Sequence, residues 1–312
     1  MNTVHVGKQV NARIRERGFG GGTRQHDSIE FFLFVIEILM DELNPTRDKP
    51  DWILTSELER RSLNSEPSRL WAAIRFRQNA LYNNTSPLVL PTDIMEMSVI
   101  VCNNCGKERR NFQNNPMLKV TVKDEPPVQR LVDALVSDMG QRSKEVMDFG
   151  CEHCSGPREL KPGEVDGPRS PRVVAKNGTA YRWHTWLPDY LWISLNRYGL
   201  FGNEIKKIET TFRFDETGID LTETFAPAIA AEPHPLPRQQ TGPFKYDVYA
   251  VIQHRGNNIS HGHYWTLARS FDKPRNGAGS WHKFNDTYVT PARFEDTQSD
   301  TTSAIFLRRQ GS

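Results

Sequence analysis

The arrangement of the cysteines is the feature that most restricts the fold of this 312-residue sequence. The chain has four cysteines in two C-x-x-C pairs: Cys102 with Cys105, and Cys151 with Cys154. Each pair puts two thiols on one tight turn, and two such turns complete a tetrahedron of sulfur ligands around Zn²⁺. Because no cysteine is left over and a closed set has no open coordination position, the spacing predicts a structural zinc site.

The same spacing has two other interpretations. The four thiols could be buried without a metal, or the two pairs could form a zinc ribbon that binds nucleic acid, which needs a basic surface nearby. However, Glu152, Glu159 and Glu164 lie close to the second pair, and the net charge of the chain is only +2. We therefore predict no nucleic-acid partner.

The composition is that of an ordinary globular protein, with 37% hydrophobic and 25% charged residues. No apolar run approaches the roughly 18 residues that a membrane helix needs. The first residues, MNTVHVGKQVNARIRERG, lack the hydrophobic region of a secretory signal. We therefore expect no membrane association and a cytoplasmic or nuclear location, or both.

Hydrophobic periodicity indicates an α+β fold with a helical first part followed by a largely antiparallel sheet. The apolar residues of segment 25–43 predict a helix that is buried nearly all round, and segment 66–82 predicts a weaker one. A hairpin with the first cysteine pair at its tip, a helix over 128–139, strands at 117–123, 190–198, 246–254, 263–270 and 303–309, and loops at 155–180 and 226–243 are also predicted.

His263 is a candidate general base. It lies at the start of a predicted strand, and Asn285 and Asp286 follow shortly after it in the sequence. A thiol protease needs an imidazole that takes the thiol proton and a third group that orients the ring. A histidine at a strand start is more often structural, so from these residues alone both interpretations stay open.

Four separated motifs resemble those of the ubiquitin-specific protease family and occur in the same order. QHDSIEF at 25–31 is similar to the family's QQDAxEF, and the paired C-x-x-C segments are similar to the zinc ligands of its fingers. LPDYLWISLNRY at 187–198 resembles LPxxLxIxLxRF. Segments 262–269 and 281–289 resemble the histidine box, GGHYxAxxR followed by WxxFDDxxV, and segment 304–307 matches the closing strand. The resemblance covers about residues 24–309.

This resemblance implies a papain-like cysteine protease fold with thumb, palm and fingers. Residues 24–312 would form a single domain after a flexible lead-in at 1–23, with the fingers at about 97–160 and the palm at about 183–309. The implied partners are ubiquitin and ubiquitinated proteins. The implied reaction is hydrolysis of the isopeptide or peptide bond after ubiquitin's terminal glycine.

The resemblance also implies roles for individual residues. His263 would be the general base, Asn285 would orient it, and Asp286 would assist. Asp27 and Glu30 match positions that bind the arginine-containing tail of ubiquitin, although acids in a first helical turn also favour the helix dipole. Tyr264 would pack along the tail channel, or it could be plain sheet core.

The sequence departs from the family at the nucleophile. The family's cysteine box, GxxNxGNTCYMNS, has no counterpart in these residues, and all four cysteines belong to the predicted zinc site. Without a thiolate, acyl transfer has no first step. We therefore expect a thumb shortened at its N-terminus and an inactive chain. Two alternatives follow: a deubiquitinase whose nucleophile lies on a further segment, or a catalytically dead ubiquitin-binding module.

Overall fold

The computed structural model describes residues 16, 27–45, 56–66, 68–137, 139–155, 175–201, 204–226, 240–258, 261–270 and 280–311. Its helices are α1 (Ser28–Glu42), α2 (Ser56–Ser65), α3 (Arg69–Asn83), α4 (Val89–Thr92), α5 (Leu131–Val136) and α6 (Glu152–Ser155), with 3₁₀ turns at Thr222–Thr224 and Phe294–Thr297. Within these ranges, no helix combines the length and the apolarity needed to cross a lipid bilayer.

Sixteen strands are present in the described ranges. They are β1 (Ile94–Cys102), β2 (Glu108–Asn115), β3 (Leu118–Thr121), β4 (Val128–Arg130), β5 (Gly140–Gly150), β6 (Ala175–Trp186), β7 (Tyr190–Asn196), β8 (Tyr198–Phe201), β9 (Glu204–Lys207), β10 (Thr211–Arg213), β11 (Ile219–Asp220), β12 (Lys245–Asn258), β13 (His261–Arg269), β14 (Trp281–Asn285), β15 (Tyr288–Ala292) and β16 (Thr302–Arg309).

Two larger sheets organise these strands. The first has the order β2-β1-β6-β5 and is antiparallel throughout. The second has the order β15-β14-β13-β12-β16-β7-β3, with β11 paired to β12, and is antiparallel except for the parallel pair β3–β7. The α+β class and the mainly antiparallel sheet are confirmed.

The eight-stranded sheet has a hydrophobic cluster on each face. α1 covers one face through a cluster that contains Ile29, Met117, Trp192, Ala304 and Phe306. A larger cluster covers the other face and includes residues of α5 and of the segments before β12. This two-sided cover fits β7, in which Leu191 and Ile193 face the larger cluster and Trp192 faces the cluster under α1.

Helix α1 confirms the helix predicted over 25–43, but its burial is less complete than expected. Ile29, Phe34 and Ile38 are buried, whereas the Phe31 side chain is 40% exposed. Ile29 belongs to the cluster against the sheet, whereas Phe34 and Ile38 lie outside that cluster, so α1 is buried on more than one side. Phe32, Leu33 and Ile36 on the same helix are only partly buried.

Two other predicted elements differ from the structure because of tertiary contacts that the sequence pattern does not reveal. The helix predicted over 128–139 is shorter, because residues 128–130 pair in parallel with β10 before α5 begins. The loop predicted over 155–180 ends at Ala175, where β6 starts to pair with β1 and β5. Most of the loop at 226–243, and the lead-in at 1–23 except for residue 16, lie outside the described residues.

The four-stranded sheet does not coincide with the range predicted for the fingers. It begins at Ile94 and its strand β6 ends at Trp186, so it extends on both sides of 97–160 and overlaps the start of the predicted palm at 183. Helix α2 was not predicted. Its charged sequence, SELERRSLNS, contains only two apolar residues, Leu58 and Leu63, and Leu63 is buried.

Arg197, directly after β7, ties distant segments together. Its guanidinium donates to the backbone carbonyl oxygens of Thr302, of Ile208 at 3.1 Å and of Thr210 at 2.6 Å. The side chain is buried, and burial lowers its pKa to about 10, so it stays protonated at neutral pH. The hydrogen bonds of the charged guanidinium therefore link the start of β16 to the segment before β10.

Candidate active site and four-cysteine cluster

The β12–β13 hairpin positions His263. β12 and β13 are antiparallel, with Arg255 opposite His263, and His263 lies near the turn end of β13. Gly262 allows the two strands to approach closely. A Cβ atom at Gly262 would lie 2.1 Å from His254 Nε2 and 2.5 Å from the carbonyl oxygen of Arg255. No larger residue fits there without movement of the strand that carries His263.

Replacement of Gly262 by alanine is expected to destabilise the protein by about 1–3 kcal/mol, the usual cost of overpacking. The added methyl group overlaps the His254 ring and the opposite backbone, so the hairpin must shift. Urea unfolding measures the change. His261→Ala, at an exposed neighbouring position, is the control and should change stability by less than about 0.5 kcal/mol. Equal stability of the two variants would contradict the close approach.

His263, Asn285 and Asp286 come together in space. His263 Nε2 lies 2.5 Å from Asn285 Oδ1 and 4.0 Å from Asp286 Oδ2. The amide oxygen can only accept, so Nε2 carries the proton and Nδ1 is the basic nitrogen. Asn285 is therefore the closer partner, whereas Asp286 is 73% exposed and its ion-pair contribution is small.

The turn between β14 and β15 positions the side chains of Asn285 and Asp286. Asn285 ends β14 and pairs with Tyr288, which leaves a two-residue turn that starts at Asp286. The backbone φ of Asp286 is +53°, in the left-handed region that aspartate and asparagine tolerate better than other side chains. The local sequence thus suits the turn that brings Asn285 to the histidine.

Trp265 lies beside His263 on the same face of β13. The two rings are 6.1 Å apart between centroids and inclined by 26°. Trp265 Nε1 donates to Gln253 Oε1 at 2.6 Å, and the buried Gln253 in turn donates to the carbonyl oxygen of Asp296 at 2.8 Å. This network fixes the indole against which the imidazole lies.

The N-terminus of α1 meets the other face of β13. Asp27 caps α1, since its Oδ1 accepts from the backbone N–H of Ile29 at 2.6 Å. Burial and the negative charge of Asp27 raise the pKa of Tyr264 to about 12, so its hydroxyl remains protonated. The Tyr264 ring packs 4.3 Å from that of His254. Asp27 and Tyr264 are therefore neighbours, and Glu30 is exposed in the first turn of the same helix.

Three residues of this neighbourhood were not predicted. His254 contacts Tyr198 through its Nδ1, 3.4 Å from the tyrosine hydroxyl, and Lys207 Nζ donates to the carbonyl oxygen of His254 at 2.8 Å. Burial and the charge of Lys207 lower the pKa of His254. The paired glycines Gly256 and Gly262 are the sequence signal that could have revealed a crowded hairpin around this histidine.

The four cysteines form a second cluster, as predicted. Their sulfur atoms all lie within 4.8 Å of one another, with Cys102 and Cys154 separated by 3.8 Å and Cys105 and Cys151 by 3.7 Å. These distances exclude a disulfide, whose sulfurs are about 2.05 Å apart. Four sulfurs bound tetrahedrally at about 2.3 Å from one ion stand about 3.8 Å apart. The cluster therefore fits a tetrahedral metal ion.

The backbone at the first pair has the geometry of a tight turn. The N–H of Gly106 donates to the carbonyl oxygen of Cys102 at 2.8 Å, and the N–H of Cys102 donates to that of Lys107 at 2.9 Å. Gly106 has a φ of +69°, which a residue with a side chain rarely adopts. The turn holds both sulfurs at the end of β1, facing the second pair after β5.

The family model described as ubiquitin carboxyl-terminal hydrolase matches residues 6–307. The chain belongs to this family. Ubiquitin carboxyl-terminal hydrolase 43 of Homo sapiens is 30% identical over 139 residues, which is 40% of this chain and 12% of that protein. Ubiquitin carboxyl-terminal hydrolase 5 of Saccharomyces cerevisiae is 26% identical over 289 residues, 91% of this chain and 32% of that protein. The chain thus spans a minor part of both hydrolases.

Solved structures of the family share the fold. The SAGA Ubp8/Sgf11/Sus1/Sgf73 DUB module bound to ubiquitin aldehyde matches with a TM-score of 0.61 and 15% identity, over 99% of this chain and 56% of that chain. The Ubp8-Sgf11-Sgf73-Sus1 SAGA DUB module matches with a TM-score of 0.58 and 16% identity, over 92% and 49%. The predicted papain-like fold of ubiquitin-specific proteases is confirmed.

Proposed function

We propose that this chain recognises ubiquitin and that, as 312 residues, it does not hydrolyse ubiquitin's bonds. One observation carries the proposal. His263 Nε2 lies 2.5 Å from Asn285 Oδ1, which is the base and orienter of a thiol protease, whereas every cysteine of the sequence belongs to the other cluster. The site keeps the partners of a nucleophile and has no thiol to activate.

The chemistry follows from the protonation of the imidazole. Asn285 accepts from Nε2–H, so Nδ1 of His263 is the atom that would take the proton of a thiol. In the family reaction the resulting thiolate would attack the carbonyl carbon of ubiquitin's last residue, the bond from that carbon to the amine would break, and the imidazolium would give its proton to the departing amine. In this chain Nδ1 has no thiol partner, so the first bond to carbon does not form. Asp286 Oδ2, 4.0 Å from His263 Nε2, would add only a weak attraction for the protonated ring of the family reaction.

Asp27, Glu30 and Tyr264 would receive the ubiquitin tail. Support comes from their placement: Tyr264 of β13 lies beside Asp27 at the start of α1, and Glu30 is exposed in the first turn of that helix. The arginines of the tail would pair with the two carboxylates. Asp27 already caps α1 through one oxygen, and a carboxylate has a second oxygen that can accept from a guanidinium.

The four-cysteine cluster would hold a structural Zn²⁺. The sulfur separations fit Zn²⁺ with Cys102, Cys105, Cys151 and Cys154 as ligands, and a four-sulfur set leaves no position for a substrate. The ion would connect the end of β1 to the segment after β5 and so stabilise the four-stranded sheet.

A second candidate function is hydrolysis by a longer protein that contains this domain. The His263–Asn285 contact favours it, because a binding module has no need of an oriented imidazole. Ubiquitinated proteins would then be substrates, in the cytoplasm or the nucleus. This activity requires a cysteine that these 312 residues do not supply.

The zinc-loaded chain is expected to show no turnover of a fluorogenic ubiquitin amide above the buffer rate, because acyl transfer has no nucleophile. The rate of fluorophore release at a high concentration of the chain measures this turnover, with an active family member as the positive control. His263→Ala is the matched variant and should behave like the unmodified chain. Turnover that disappears in His263→Ala would contradict the proposal, since another group would then act as the nucleophile.

A further inference from the structure

Two basic side chains and an indole lie beside His263 on one face of the eight-stranded sheet. Arg255 lies opposite His263 in the β12–β13 pair, and Lys283 lies opposite Leu267 in the β13–β14 pair. Directly opposite residues share a face of a sheet, and alternate residues of one strand return to that face. His263, Trp265 and Leu267 alternate along β13, so all five side chains lie on the same face. We call Arg255, Trp265 and Lys283 the Trp265 platform.

The Trp265 indole is the centre of the platform. Lys283 Nζ lies 4.7 Å from the ring centroid, and the guanidinium carbon of Arg255 lies 5.8 Å from it. Cations at such distances are attracted by the negative face of the ring. The indole is itself held by its hydrogen bond to the buried Gln253 at 2.6 Å. Both cations are therefore positioned against one fixed ring.

The two cations of the platform have no carboxylate partner. Within the ranges that the structure describes, neither Arg255 nor Lys283 forms an ion pair or a side-chain hydrogen bond, and their contacts are those with Trp265. An aromatic ring carries no net charge, so both positive charges stay uncompensated. Arg255 is exposed, and Lys283 and Trp265 are partly exposed, so a partner can reach the platform.

The local charge favours an anionic partner. The carboxylate of Asp286 lies near this face, 4.0 Å from His263 Nε2, but its side chain is 73% exposed, so water and salt screen its charge. The carboxylate of Asp296 lies 3.7 Å from the guanidinium of Arg293 and is compensated there. Two uncompensated cations therefore stand against one screened carboxylate, and an anionic group at the platform meets a net attraction.

We propose that the Trp265 platform binds an extended acidic segment of a partner protein, whose carboxylates at alternate positions pair with Arg255 and Lys283. The distances of 4.7 and 5.8 Å to the shared ring centroid limit the separation of the two charges to about 10.5 Å, and alternate side chains of an extended segment, about 7 Å apart, can reach both.

The openness of the platform favours a protein over a small molecule as the occupant. None of the described lining residues of the two large cavities, about 690 and 800 Å³, belongs to the platform, and small molecules bind mainly in such cavities. Tryptophan and arginine are also enriched among the residues that contribute most to protein–protein binding. Binding at the platform requires neither ubiquitin nor a nucleophile, so it goes beyond the proposed recognition of ubiquitin.

Nuclear magnetic resonance of the Trp265 indole N–H tests this proposal in the full zinc-loaded chain, with Trp265→Phe to assign the resonance. The probe is a blocked pentapeptide of threonines with glutamate at its second and fourth positions, and the control peptide has glutamine at both. We expect a saturable shift of the indole resonance with the glutamate peptide and no shift with the glutamine peptide. The affinity should fall as the salt concentration rises, because the charges are accessible to water.

Variants that each remove one charge locate the contacts. Arg255→Gln and Lys283→Gln should each weaken binding of the glutamate peptide about threefold, as expected for exposed ion pairs, and together about tenfold. Lys245→Gln is the matched control, since it removes an exposed charge from the start of the same strand, about 33 Å from Arg255, and should keep the affinity. Three results would overturn the proposal: no saturable shift, an equal shift with the glutamine peptide, or an affinity that the double variant leaves unchanged.

Discussion

Replacing Cys102 by serine is expected to abolish metal binding and to unfold the four-stranded sheet. Cys102 ends β1, which pairs with both β2 and β6, so the loss of its sulfur releases the central strand from the segment after β5. Zinc binding contributes on the order of 10 kcal/mol to small metal-dependent folds. The expected effect therefore exceeds the total stability of many domains, which is about 5–15 kcal/mol.

Elemental analysis and thermal unfolding followed by circular dichroism measure the two parts of this result. We expect one zinc per chain in the unmodified protein and none in Cys102→Ser, together with loss of the cooperative transition or a large fall in Tm. Lys107→Ser changes an exposed residue of the same turn and should retain both metal and Tm. A Cys102→Ser protein with an unchanged melting curve would refute a structural metal.

Replacement of Arg197 by methionine is expected to cost about 3–5 kcal/mol, the usual effect of breaking a buried charged network by removing one partner. Methionine fills much of the same volume but donates no hydrogen bond. The carbonyl oxygens of Thr302 and Thr210, both in buried residues, would then lose their charged donor. Urea unfolding would report a lower midpoint.

Two further variants separate the hydrogen bonds of Arg197 from its charge. Arg197→Lys keeps the charge but cannot reach several carbonyl oxygens at once, so an intermediate loss is expected. Arg213→Met removes an exposed arginine and should cost less than about 0.5 kcal/mol. Equal stability of Arg197→Met and Arg213→Met would show that the buried network contributes nothing.

Patterns that are local in sequence predicted much of the fold. The periodicity of Ile29, Phe32 and Ile36 indicated α1, and the alternation around Ile193 indicated β7. The elements that these patterns did not predict depend on strand pairing between segments far apart in the sequence. Residues 128–130 pair in parallel with β10 and are not part of helix α5. Strand β6 pairs with β1 and β5, although a Gly- and Pro-rich segment precedes it.

The candidate sites show the same difference between what local sequence patterns predict and what depends on long-range contacts. Family motifs indicated His263 and Asn285, and the cysteine spacing indicated the four-sulfur cluster, because in both cases the residue types are specific to a chemistry. His184 and Glu96, outside both candidate sites, belong to no motif. Their buried contacts, from His184 to Thr224 and from Glu96 to Arg182, join segments far apart in the sequence and cannot be inferred before the strands are paired.

Calorimetric titration of the zinc-loaded chain with mono-ubiquitin tests the central claim most directly. We predict saturable binding that weakens when Asp27→Asn and Glu30→Gln are combined, because both changes remove a carboxylate, and asparagine still caps α1. Asp27→Ser, which also caps a helix, is a second test of the charge at that position. Absence of binding by a folded, zinc-loaded chain, or binding that the double variant leaves unchanged, would contradict the proposed recognition of ubiquitin through these residues.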